Sequence, residues 1–153
     1  MCIRDRAHAA LSKLESEPVL LFEGDQGRVD PIRPPRFLKR LKAARHLPLF
    51  VFLMSPYPSD PGGNEALASL ARMMIEELGI LAAVVMTGTM STDTNELFAK
   101  ALSRQLRTHG EIDRAFGEAC VEVSHRPDFV PPALYSRLRE APLFYCQVAT
   151  ASG

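Results

Sequence analysis

The sequence predicts an α/β fold, with a mostly parallel sheet between helices on both faces. Three observations carry that reading. Leu47–Met54 and Ile80–Met86 are continuous apolar runs, as expected of strands covered on both sides. Apolar residues recur at helical spacing between and after those runs. Glycines and prolines mark the boundaries, so strands and helices alternate along the chain.

Pro18–Phe22 (PVLLF) reads as a short strand, Glu23–Gly27 as a turn and Arg28–Ile32 as the return arm of a hairpin. Pro34-Pro35 sets a helix start, where a missing N–H costs little. Arg36–Arg45 follows as a short basic helix with Phe37, Leu38 and Leu41 on one side. Leu47–Met54 fits a central parallel strand, and Ser55–Gly63, with its prolines and glycines, is a loop. Asn64–Leu78 is the clearest helix, carrying Leu67, Leu70, Ala71, Met74, Ile75 and Leu78 on one face and ending at Gly79. Ile80–Met86 is the second buried strand, and Thr87–Thr92 is a polar loop with Thr92 or Asp93 as N-cap. The next helix runs to about Thr108 with Leu97, Phe98, Ala101, Leu102 and Leu106 inward, and Gly110 ends it. Glu111–Val123 is another helix, with Ile112, Phe116, Ala119 and Cys120 toward the core. Arg126–Pro132 reads as a loop, Leu134–Leu138 as one helical turn and Pro142–Val148 as a final strand.

The 153 residues suit one domain, and their apolar content is ordinary for a soluble one. Eighteen basic and eighteen acidic side chains cancel, so no nucleic-acid partner is expected. No apolar stretch is long enough to span a bilayer and no signal peptide is recognisable, which predicts a cytoplasmic protein with no membrane partner. Three scattered cysteines (Cys2, Cys120, Cys146) form no CxxC pair and suit a reducing compartment. Four histidines (His8, His46, His109, His125) form no metal motif, so neither a metal nor a cofactor is expected. Met1–Arg6 (MCIRDR) resembles a translated sequencing-adapter remnant of the kind that begins proteins called from metagenomic reads. On that reading residues 1–6 are not native, and the true gene continues upstream.

In open parallel sheets, sites form beyond the C-terminal ends of strands. That directs attention to His8, to the loop from Ser55 and to the loop from Thr87. His8-Ala9-Ala10-Leu11-Ser12-Lys13-Leu14, followed by Glu17–Glu23, resembles the segment of the CHAT family that contains its catalytic histidine. Leu49–Leu53 (LFVFL) resembles the strand leading to that family's cysteine. Leu70–Arg72, Glu77–Ile80, Ala83–Met86, Leu97–Leu102 and Ile112–Phe116 resemble the helices and strand that follow.

The resemblance implies a three-layer αβα caspase-like fold over residues 7–153, truncated at its N-terminus. It also implies a cysteine–histidine dyad in which a thiolate attacks a peptide carbonyl. Carried onto this chain, His8 takes the histidine's place, flanked by Ala7 and Ala9 where the family has glycines. Pro56 takes the cysteine's place. Proline offers neither a nucleophile nor a backbone N–H for an oxyanion, so cysteine-peptidase activity is expected to be absent.

Other residues are weaker candidates. Cys120 and Cys146 read as core residues, and Ser55 and Ser59 as turn residues. Gly62-Gly63-Asn64 has the makings of an anion-binding turn but no P-loop lysine. Asp113, Arg114 and Glu118 read as a solvated helix face and Arg126-Pro127-Asp128 as a structural turn.

The expectation is a caspase-like pseudoenzyme that recognises a protein or peptide partner, with a helical-repeat region possible upstream. The alternatives are an active caspase-like cysteine endopeptidase when complete, and a small ligand-binding α/β domain. Loss of upstream strands also predicts an exposed sheet edge and a tendency to associate.

Overall fold

Both apolar runs form strands, and they pair side by side. The computed structural model describes residues 7–11, 18–23, 29–54, 61–86, 88–139 and 141–145, and it describes side chains from Ile32 onward except at 61–63. Strand β4 (Phe50–Leu53) lies parallel to β5 (Ala82–Val85), with Phe50 opposite Ala82 and Leu53 opposite Val85. Strand β6 (Ala133–Ser136) pairs with β5 on its other side but runs antiparallel. A second three-stranded sheet precedes them: β1 (Ala7–Leu11), β2 (Pro18–Glu23) and β3 (Val29–Ile32) form an antiparallel meander.

The helices follow local chemistry. Pro34 and Pro35 open α1 (Pro34–Lys42), and Lys39, Arg40 and Lys42 sit in its last turn, where cations complement the carbonyl end of the helix. Helix α2 (Pro61–Leu78) stops at Gly79, whose φ of 73° is the left-handed geometry that glycine adopts without strain. Helix α3 (Thr92–His109) is capped by Ser91, whose Oγ accepts from the N–H of Thr94, and ends at Gly110. Helix α4 (Ile112–Val123) begins immediately afterwards.

Alternation along the strands divides the core in two. Ala82 and Val84, with Phe50 and Phe52 beside them, join Phe98, Ala101, Leu102 and Leu106 of α3 and Ala115 and Ala119 of α4. Ala83 and Val85 face the opposite way and join Leu38 of α1 and Leu67, Leu70, Ala71 and Met74 of α2. Helices therefore cover both faces of β5, every residue of which is buried. Phe98 is completely buried, with ring centroids of Phe52, Phe116 and Phe129 at 6.2, 5.9 and 6.2 Å.

The α/β class holds, but the mostly parallel sheet does not. A single helix between strands returns the chain to the start of the next parallel strand. Here α3 carries the chain back and α4 carries it forward again, so β6 starts at the far end of β5 and must run antiparallel. Among the described residues the expected central strand, β4, is instead the edge of its sheet and only half-buried, and β5 is central.

Leu134–Leu138 is not a helical turn. Pairing with β5 draws residues 133–136 into a strand, which places Leu134 on one core and Tyr135 on the other. The expected last strand is also missing over Pro142–Tyr145. There the N–H of Leu143 donates to the Gly110 carbonyl at 2.6 Å, pinning the segment to the end of α3. Residues 146–148 lie outside the described residues.

Candidate functional site

His8 stands mid-strand in β1, paired with Leu21 of β2, rather than in a loop beyond a parallel strand. Its side chain is outside the described residues, as are Pro56, Ser55, Ser59, Cys2 and Cys146. The strands that carry the two dyad positions belong to different sheets, since His8 is in the meander and Pro56 follows the parallel edge strand β4. Gly62 and Gly63 lie in the first turn of α2, which begins at Pro61, rather than in a loop ahead of the helix.

Polar side chains gather instead beyond the C-terminal end of β5. Gly88 leaves the strand so close to Val130 that a Cβ there would collide with the valine side chain. This close approach brings the 126–129 turn against the start of α3. The Ser91 N–H donates to Asp128 Oδ2 at 2.9 Å, and the Thr94 hydroxyl donates to Asp128 Oδ1 at 2.8 Å. Thr94 Oγ1 in turn accepts from the Ser91 hydroxyl at 3.0 Å and from Arg126 Nε–H at 3.1 Å. Asn95 Nδ2 donates to the Met90 carbonyl at 3.3 Å, while its buried Oδ1 has no partner among the described residues.

This arrangement holds structure rather than performing nucleophilic chemistry. Thr94 is the hydroxyl whose proton meets a carboxylate, yet it is fully buried and its oxygen already makes one donated and two accepted bonds. The Ser91 hydroxyl donates to Thr94, and no described base touches it. The turn read at Arg126-Pro127-Asp128 is present, closed by the Phe129 N–H donating to the Arg126 carbonyl at 3.1 Å. What sequence reasoning missed is the long-range bond from that turn to the α3 N-cap. The available signal was Ser91 three residues before Thr94, a spacing typical of caps.

Hydrogen bonds from Ser91, and then from Thr94, hold the Asp128 carboxyl well below its ordinary value of 3.8. A depressed carboxylate stabilises the fold fully above its unfolded value and loses that contribution as the pH falls toward its folded value. Asp128→Asn is therefore expected to be less stable than the parent at neutral pH, with the difference narrowing at about pH 2. Denaturant melts at both pH values check this, and a gap that does not change with pH would refute the charge-dependent role.

A second cluster joins α3 to α4. His109 Nε2 lies 2.8 Å from Glu118 Oε2, and Arg114 Nε donates to Glu118 Oε1 at 3.0 Å. Arg104 pairs with Glu122 across the same seam. Hydrogen bonds from Arg114 and His109 draw the Glu118 carboxyl below its ordinary value despite an opposing desolvation effect. The face read as solvated is exposed at Arg114, which pairs with Glu118 within α4, and Glu118 also reaches across to His109 at the end of α3.

Cys120 is the described thiol. It packs against the α3–α4 core, and burial pushes its ionisation above the ordinary cysteine value. A thiol that ionises less readily is a poorer nucleophile at neutral pH. Among the described residues, no three His, Cys, Asp or Glu side chains converge as a metal site would require. Nor is any described helix long and apolar enough to cross a membrane. No family model, curated protein or solved structure matches the chain.

Proposed function

We propose that this chain is a non-catalytic relative of caspase-like CHAT domains that acts by recognising a protein or peptide partner. The observation that carries the reading is Pro56, which stands where the resemblance calls for the nucleophilic cysteine. A pyrrolidine ring supplies neither sulfur nor a backbone N–H. Two features of the described residues support it. Cys120 is a core thiol with a raised ionisation, and the Ser91 and Thr94 hydroxyls are committed to a structural network.

The chain is expected to take no label from thiol-directed activity-based probes and to leave peptide substrates of caspase-like enzymes intact. Specific labelling of one cysteine, lost in His8→Ala, would overturn this and restore the peptidase reading. Peptide cleavage acquired by Pro56→Cys would show that the remainder of the site is assembled and that the proline alone silences it.

A further inference from the structure

The neutrality of the whole chain conceals a local excess. Between Asp30 and Asp60 there is no acidic residue, whereas Arg33, Arg36, Lys39, Arg40, Lys42 and Arg45 all fall in that interval. These six side chains are exposed. Arg36, Lys39, Arg40, Lys42 and Arg45 form no ion pair with a described residue. The apolar side of α1 is already used, because Leu38 is buried and Phe37 and Leu41 pack with it against the α2 core. What α1 presents outward is cationic, and no free apolar face remains for inserting into a lipid surface.

The same interval leads into β4, whose outer side pairs with no described strand. The carbonyls of Leu49 and Leu53 accept from the N–H groups of Ala82 and Met86, so the odd-numbered residues of β4 direct their backbone groups at β5. Backbone groups alternate in direction along a strand, so the N–H and C=O of Phe50 and Phe52 point away from the sheet. No hydrogen bond from a described residue reaches them. Beside this edge Leu47, Leu49 and Met54 are exposed to 37%, 52% and 41%.

We propose that the outer edge of β4 takes an extended acidic peptide as an added strand, with its acidic end held by the cations of α1 and the turn through Arg45. The inference deepens the recognition reading above and rests on it. Three properties of the surface choose this occupant. Backbone donors and acceptors in strand geometry that no described residue engages suit an extended peptide. The exposed leucines suit apolar side chains at alternate positions, which a sugar–phosphate chain does not offer. The clustered cations suit carboxylates, whereas a second copy of this chain would bring the same positive interval to the contact.

The test uses the full chain and fluorescein-labelled peptides of alternating valine and threonine, with a run of glutamates at either end. Anisotropy is expected to show saturable binding of one of the two orientations. Binding should weaken with added salt and fall about tenfold in the Arg40→Glu, Lys42→Glu variant, both of which are exposed positions outside the core. The same peptide N-methylated at alternate residues keeps its charge but cannot add as a strand, and it should not bind. Equal binding of the N-methylated peptide, of oligoglutamate alone or of an oligonucleotide would overturn the proposal in favour of a general polyanion surface. A dimer on gel filtration that excludes the peptide would overturn it in favour of a second copy. Mass spectrometry of the recovered peptide separates the two readings. Cleavage refutes the non-catalytic assignment and leaves the edge standing, whereas an intact, unbound peptide refutes the edge alone.

Discussion

Phe98→Ala is expected to lower the stability of the fold by about 3–5 kcal/mol. The total stability of a domain this size is roughly 5–15 kcal/mol, so the loss is a large part of it. The side chain is completely buried, and three aromatic rings surround it from β4, α4 and the 126–129 turn. Those three elements are distant in the chain, and Phe98 is where they meet. Removing the ring therefore leaves a cavity whose walls belong to separate elements and collapse poorly. Urea unfolding of the variant measures the loss, and a change below about 1 kcal/mol would show that Phe98 is not the centre of that core.

Gly110→Ala is expected to cost roughly 2–4 kcal/mol through two additive effects. The residue has φ of 72°, a conformation that an L side chain adopts only with strain. An added Cβ would also collide with the carbonyl oxygen of Phe144. Gly79 supplies the control. Its φ is 73°, but the nearest atom to an added Cβ is the flexible end of Arg137, 3.4 Å away. Gly79→Ala should therefore show the backbone strain alone, about 1–2 kcal/mol. Paired melts of the two variants isolate the contribution of the 143–144 segment docking on the end of α3. Equal losses would mean that the segment yields without cost.

Much of the secondary structure was legible because its causes are local. Leu67, Leu70, Ala71 and Met74 repeat at helical spacing, and all four are buried on the inner face of α2. Gly79 and Gly110 end their helices in the left-handed conformation that their identity permits. Pro34-Pro35 opens α1, and Val29–Ile32 returns against β2 as the hairpin reading required. The errors share a different cause. Leu134–Ser136 carries too short a pattern to declare itself, and only the open side of β5 makes it a strand. Leu47–Met54 is apolar enough for a central position, but its outer neighbour is a matter of topology, not of its own composition. The polar cluster was half-visible. Arg126-Pro127-Asp128 announced a turn, but nothing near it in sequence announced that Asp128 would hold Ser91 and Thr94, 37 and 34 residues away.

By itself the sequence determined the covalent facts and the local ones: a proline at position 56, a neutral total charge with six cations and no acidic residue between Asp30 and Asp60, the helix faces and their glycine stops. Only the tertiary structure decided the direction of β6, the edge position of β4 and the tie from Asp128 to the α3 cap. The division has one physical reason. A helix face or a cap is set by residues within a turn or two of one another, whereas strand direction and cross-chain hydrogen bonds depend on where distant segments return. Here the α3–α4 hairpin makes that choice by reversing the chain twice before β6 begins.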